Sequence, residues 1–194
     1  MERERQQWIL VTVLTGSRLG LAAGVGVLAL WSDSQAWAVV ASLLLLGLVE
    51  LSDALDGFLA RRWGAVSDFG KMFDPYCDSV SRLIIYWSLA VAGHVWVVVP
   101  LVMAVRDVTV SYSRIIMTRR GIDVSARLTG KLKAVVQGAC APILLLTFWM
   151  PADFSRWVIA GAGTAVIGIT LASMVDYVRA ALRGPSVAAP AKDE

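Results

Sequence analysis

Four aspartates, Asp53, Asp56, Asp74 and Asp78, lie within or beside apolar runs in the segment LVELSDALDGFLARRWGAVSDFGKMFDPYCDSV, residues 48–80. Ionisable side chains in such surroundings are costly and usually face a cavity or one another, so each is a functional candidate. Their spacing sorts them into pairs. Asp53 and Asp56 share a helical face with Gly57 and Ala60, while Gly70, Asp74 and Asp78 recur every four residues on the next helix. Two such stripes face to face concentrate about four negative charges, which protons or cations must offset. Oxygen donors without cysteine or histidine favour a hard cation, Mg²⁺ or Mn²⁺. Metals held this way can neutralise a diphosphate, stabilise a leaving group and favour deprotonation of a hydroxyl. The small residues Gly57, Ala60 and Gly70 leave room for a polar ligand or let helices pack closely. Arg61, two turns beyond Asp53, is placed either to clamp a diphosphate or to mark a membrane face.

A second set is cationic. Arg106 and Arg114 are eight apart, so they share one helical face, with Asp107 beside them to orient or neutralise charge. Lys131 and Lys133 follow in the segment GKLKAVVQ. Such charges suit a phosphorylated partner, and they also suit ordinary retention of basic residues on one side of a membrane. Glu50 lies one turn deeper than Asp53, where it can orient a ligand; Asp176 is spaced to pair with Arg179.

The elements that must position these residues are membrane helices. The 194-residue chain is 57% hydrophobic and 17% charged, with a mean hydropathy of +0.66, more than a water-soluble surface of this size can hide. Apolar stretches of roughly 20 residues match a hydrocarbon core about 30 Å thick. They predict an all-α protein with six spans, at residues 11–31, 36–59, 76–92, 95–117, 132–149 and 157–177. No stretch alternates with period two, which argues against barrel strands. The first contains Arg18 and lacks a clear small-residue cleavage site, so it reads as a retained span. Placing both termini in the cytoplasm gathers nearly all Lys and Arg on one side and leaves Arg156 opposite. Trp31, Trp37, Trp96, Trp149 and Trp157 then cluster at the far interface.

Cys77 and Cys140 fall within spans, against a disulfide framework. His94, the only histidine, falls in a connector and is expected to be interfacial or solvated. The net charge of +3 collects at one membrane face, which fits lipid headgroups or phosphorylated substrates rather than nucleic acid. One domain is expected over residues 1–183, with a disordered tail over 184–194.

The arrangement Asp53-x2-Asp56-Gly57-x2-Ala60-Arg61-x8-Gly70-x3-Asp74-x3-Asp78 resembles the CDP-alcohol phosphotransferase signature at all eight fixed positions. The resemblance implies that family's fold, with the four aspartates holding two divalent cations and Asp78 also acting as general base. It implies a CDP-diacylglycerol site near Gly57, Ala60, Arg61, Ser67 and Gly70, where Ser67 can equally be a helix N-cap. It also implies an inner-membrane enzyme, facing the cytoplasm and homodimeric.

Over nearly the whole chain the likeness is to phosphatidylglycerophosphate synthases: LDGFLARRW, the Arg106, Asp107 and Arg114 set, and Gly130 to Lys133. The implied acceptor is glycerol 3-phosphate, with Arg106, Arg114, Lys131 and Lys133 as contacts. Of an N-terminal Pro-Asn-x-Leu-Thr-x2-Arg pattern, this chain keeps Leu14, Thr15 and Arg18 and has Val11 and Thr12 for Pro and Asn. Ser79 stands where lysine is usual, and Ala134 where threonine is. Other acceptors open to the same chemistry are inositol phosphate, serine and phosphatidylglycerol. Ion-coupled transport is the alternative of another class; the gathering of carboxylates at one end and the lack of a repeat weigh against it.

Overall fold

The computed structural model describes residues 2–31, 35–63, 68–121 and 127–182. They form six helices: α1 (Glu2–Trp31), α2 (Ala36–Trp63), α3 (Asp68–Val91), α4 (Val98–Arg119), α5 (Leu128–Leu146) and α6 (Ala152–Leu182). A 3-10 turn, Thr147–Trp149, closes α5. The expected all-helical architecture is present, and no strand occurs among the described residues. The tail over 184–194 lies outside them.

Four segments are long and apolar enough to cross a membrane: Gln6–Trp31, Ala36–Leu59, Leu128–Trp149 and Ala152–Leu182. No more than 39% of any of their apolar windows is buried inside the protein, so much of this surface faces outward, as contact with hydrocarbon requires. α3 and α4 match the two remaining expected spans but carry more charge. α3 starts eight residues before its apolar stretch and brings Asp74 and Asp78 with it, and α4 holds Arg106, Asp107 and Arg114.

α1 packs chiefly on α2 and α3, and α6 on α4 and α5; α3 meets α4 and α5 across a sparser seam. Ala22, Val25, Leu46, Ile85, Leu89 and Leu144 belong to the main core cluster. At one α1–α3 crossing a Cβ added to Gly26 would stand 2.6 Å from Ser88 Oγ, closer than packed atoms tolerate. α3 ends in a Schellman turn: Gly93 has φ 81°, and the His94 N–H donates to the Leu89 carbonyl at 2.8 Å.

His94 is half-buried rather than solvated. Its ring stacks on Phe148 at 3.6 Å, and Nδ1 lies 2.7 Å from Thr147 Oγ1, because the turns after α3 and α5 meet here. Burial lowers its pKa below the ordinary histidine value. An unfolded chain therefore binds this proton more readily than the folded one, so the stability involved is present above pH ~6.5 and is lost as pH falls through the folded value. The thermal midpoint in detergent is expected to drop between pH 7 and pH 5, and to drop less in His94→Gln. Separately, Gly26→Ala is expected to cost about 1–3 kcal/mol by overpacking, with Ser88→Ala in the same chain restoring part of the loss; paired thermal melts check this.

Candidate active site

Asp53 and Asp56 sit one turn apart on α2, and Asp74 enters from α3. One oxygen from each of the three lies within 4.8 Å of the others. What holds them together comes from α1. Arg18 donates from Nη1 to Asp53 Oδ1 at 2.6 Å, and from Nη2 to Asp74 Oδ1 at 2.5 Å and to Asp56 Oδ2. Thr15, one turn away, donates to Asp56 Oδ2 at 2.7 Å. Arg18 and Asp56 are 1% and 4% exposed, whereas the side chains of Asp53 and Asp74 are near half exposed. The cluster thus has a dry inner side and a wet outer one.

Three carboxylates against one guanidinium leave a formal charge of −2. Asp53 Oδ2, Asp56 Oδ1 and Asp74 Oδ2 are the oxygens that Arg18 does not engage. An all-oxygen set with this residual charge fits a hard divalent cation.

Asp78 stands outside the trio although it continues the stripe of Asp74. Arg82, one turn further along α3, donates from Nε to Asp78 Oδ1 at 2.9 Å and from Nη1 to the Ala134 carbonyl of α5 at 3.0 Å. Glu50 Oε1 lies 3.8 Å from Arg82 Nη2, so Glu50 serves this arginine and not the aspartate trio. Asp53, Asp78 and Arg18 nonetheless border one enclosed space of about 10 Å³, room for a single water.

From Asp78 a larger cavity of about 780 Å³ opens between α3, α4, α5 and α6, a size that suits a small-molecule ligand. Arg106, Arg114, Lys131 and Lys133 all line it. Arg106 and Lys133 are 7% and 4% exposed, and Asp107 accepts from both, at 2.8 Å and 3.2 Å. Four cations against the two lining carboxylates, Asp107 and Asp78, leave +2, an imbalance an anionic ligand would relieve.

The structure therefore brings together three of the four expected metal ligands, and separately the four expected cations with Asp78. Gly57 and Gly70 are half-buried, near the ends of α2 and α3 that carry the cluster. Ser67 and the side chains of Ala60 and Arg61 lie outside the described residues. Asp176 pairs with Arg127 at 2.8 Å and Thr129 at 2.7 Å; these bonds, rather than one to Arg179, tie α6 to the start of α5. Sequence reasoning assigned no role to Arg18, Thr15 or Arg82. The signal was available for the arginines: each is a charge inside an apolar stretch, the criterion that picked out the aspartates.

Removing one partner of a buried charge cluster leaves the rest uncompensated. Arg18→Met is expected to lower stability by about 3–5 kcal/mol, and Arg18→Met with Asp56→Asn by less than the sum of the two single changes; unfolding curves in detergent measure both.

The family model described as CDP-alcohol phosphatidyltransferase matches residues 8–177. The CDP-diacylglycerol–glycerol-3-phosphate 3-phosphatidyltransferase of Mycoplasma genitalium is 33% identical over 128 residues, which cover 66% of this chain and 54% of that protein. The probable phosphatidylglycerophosphate synthase of Mycobacterium tuberculosis is 33% identical over 152 residues, 76% of this chain and 66% of the relative. A Salmonella typhimurium protein named as the Mycoplasma one is 34% identical over 156 residues, 75% and 81% of the two chains. The match thus spans about half the length of the first relative and most of the last.

Proposed function

This chain belongs to the CDP-alcohol phosphatidyltransferase family, and on that premise we propose that it transfers the phosphatidyl group of CDP-diacylglycerol to glycerol 3-phosphate. The products are CMP and phosphatidylglycerol phosphate. The observation that carries this reading is the 780 Å³ cavity in which Asp78 meets four cations. The names of the relatives support the same donor and acceptor.

Asp53, Asp56, Asp74 and Asp78 would hold two divalent cations, Mg²⁺ or Mn²⁺, which would supply charge neutralisation for the diphosphate and for departing CMP. Gly57, Ala60, Arg61, Ser67 and Gly70 receive the cytidine diphosphate at the end of the bundle where α2 gives way to α3. The acyl chains stay in the bilayer. Arg106, Arg114, Lys131 and Lys133 bind the phosphate of glycerol 3-phosphate and orient its free hydroxyl toward Asp78. Asp78, oriented by its hydrogen bond from Arg82, takes the hydroxyl proton. The oxygen then attacks the β-phosphorus, and the anhydride bond to CMP breaks.

In this reading all six helices span the inner membrane, with one domain over residues 1–183, both termini in the cytoplasm and the site at the cytoplasmic face. The distribution of Lys and Arg supports that topology. A homodimer follows by family analogy.

The test is CMP release by the purified protein from CDP-diacylglycerol, with glycerol 3-phosphate, inositol, inositol phosphate, serine and phosphatidylglycerol in parallel. Glycerol 3-phosphate is expected to support release, EDTA to abolish it, and Asp78→Asn to lower kcat by about 10²-fold or more. Release with a different acceptor overturns the acceptor assignment; none from folded, metal-loaded protein overturns the chemistry.

A further inference from the structure

Tyr177 of α6 falls in no motif, and its side chain is 1% exposed. Its ring nonetheless lies beside both arginines of the large cavity, with its centroid 5.6 Å from Arg106 Cζ and 5.2 Å from Arg114 Cζ. Those arginines are two helical turns apart on α4, so one rigid ring in contact with both fixes the gap between them. The hydroxyl adds two polar ties. It accepts from Arg114 Nη2 at 3.1 Å and, at 3.3 Å, from the backbone N–H of Arg127, the residue that caps α5. The same oxygen thereby anchors the helix start that carries Lys131 and Lys133. Gly130 completes the fit: a Cβ there would meet the hydroxyl at 3.4 Å.

The two arginines are held differently. Arg106 has Asp107 and Ser173 as partners, whereas Arg114 has no carboxylate partner among the described residues and depends on Tyr177. The Nε–H groups of both are buried without an acceptor among those residues. Buried donors left over beside a net positive cavity call for a ligand rich in acceptor oxygens, which is what a phosphomonoester supplies.

We infer that Tyr177 is the positioning residue of the acceptor site: it presets Arg106, Arg114 and the start of α5 for a phosphomonoester, and so selects phosphorylated alcohols. Its influence runs through the cations, not through the reacting atoms. This rests on the reading of the large cavity as the acceptor site.

Two variants separate the ring from the hydroxyl. Tyr177→Phe keeps the ring and is expected to raise KM for glycerol 3-phosphate about tenfold, the loss of one hydrogen bond to a charged donor. In Tyr177→Leu the increase should reach about 100-fold, with kcat within about twofold and KM for CDP-diacylglycerol unchanged in both variants. Binding of glycerol 3-phosphate and of inorganic phosphate, followed by calorimetry on the same samples, should weaken in parallel with KM. An unchanged acceptor KM, or a loss in kcat with both KM values preserved, overturns the positioning role. So does an equal rise in both KM values, which marks a merely structural tyrosine. If wild-type protein neither uses nor binds a phosphomonoester, the acceptor assignment itself fails and takes this inference with it.

Discussion

Burying a guanidinium among three carboxylates sets terms that the rest of the aspartate cluster must meet. Arg18 can be 1% exposed only because Asp53, Asp56 and Asp74 reach it from two other helices. Those aspartates in turn can approach one another only because a cation sits between them. The register of α1 against α2 and α3 is thus fixed by charge as well as by shape. Tight crossings such as Gly26 against Ser88 then set how closely the helices lie. One oxygen of each carboxylate faces the guanidinium, leaving the other for whatever the site binds.

The cationic cavity meets the opposite problem with different means. It has cations in excess, one carboxylate to steady two of them, and a tyrosine ring to hold two others apart. Neither side is neutral alone. A negative cluster and a positive cavity stand on either side of Asp78, so in the proposed reaction divalent cations and the acceptor's phosphate would each complete a charge set that the protein leaves open.

How much of this the sequence discloses depends on whether a residue's partner is near in the chain. The aspartate stripes on α2 and α3 were legible because helical periodicity alone puts Asp53 with Asp56 and Asp74 with Asp78. The same holds for Arg106 and Arg114. Asp78 lies outside the trio and bonds to Arg82, a partner that the stripe of aspartates alone does not reveal. Arg18 stood out only as a charge inside an apolar stretch, and Tyr177 not at all, because their partners lie 35 residues or more and 50 residues or more away, respectively. Asp176 went to Arg127, across a helix junction, rather than to the nearby Arg179. Four of the six helices stand out by hydropathy, and the two that do not are those whose apolar faces yield to the site.

The sparse seam between α1–α2–α3 and α4–α5–α6 has a consequence for descent. In the proposed reaction the first bundle carries the residues for cleaving an activated lipid, and the second those that choose what receives it; Arg82 bonded to the Ala134 carbonyl is one of the few polar stitches between them. Substitutions far apart in a protein act almost independently. A lineage can therefore rewrite the second bundle for a new alcohol while the first goes on unaltered, and the fold offers natural selection two loosely tied inheritances in a single chain.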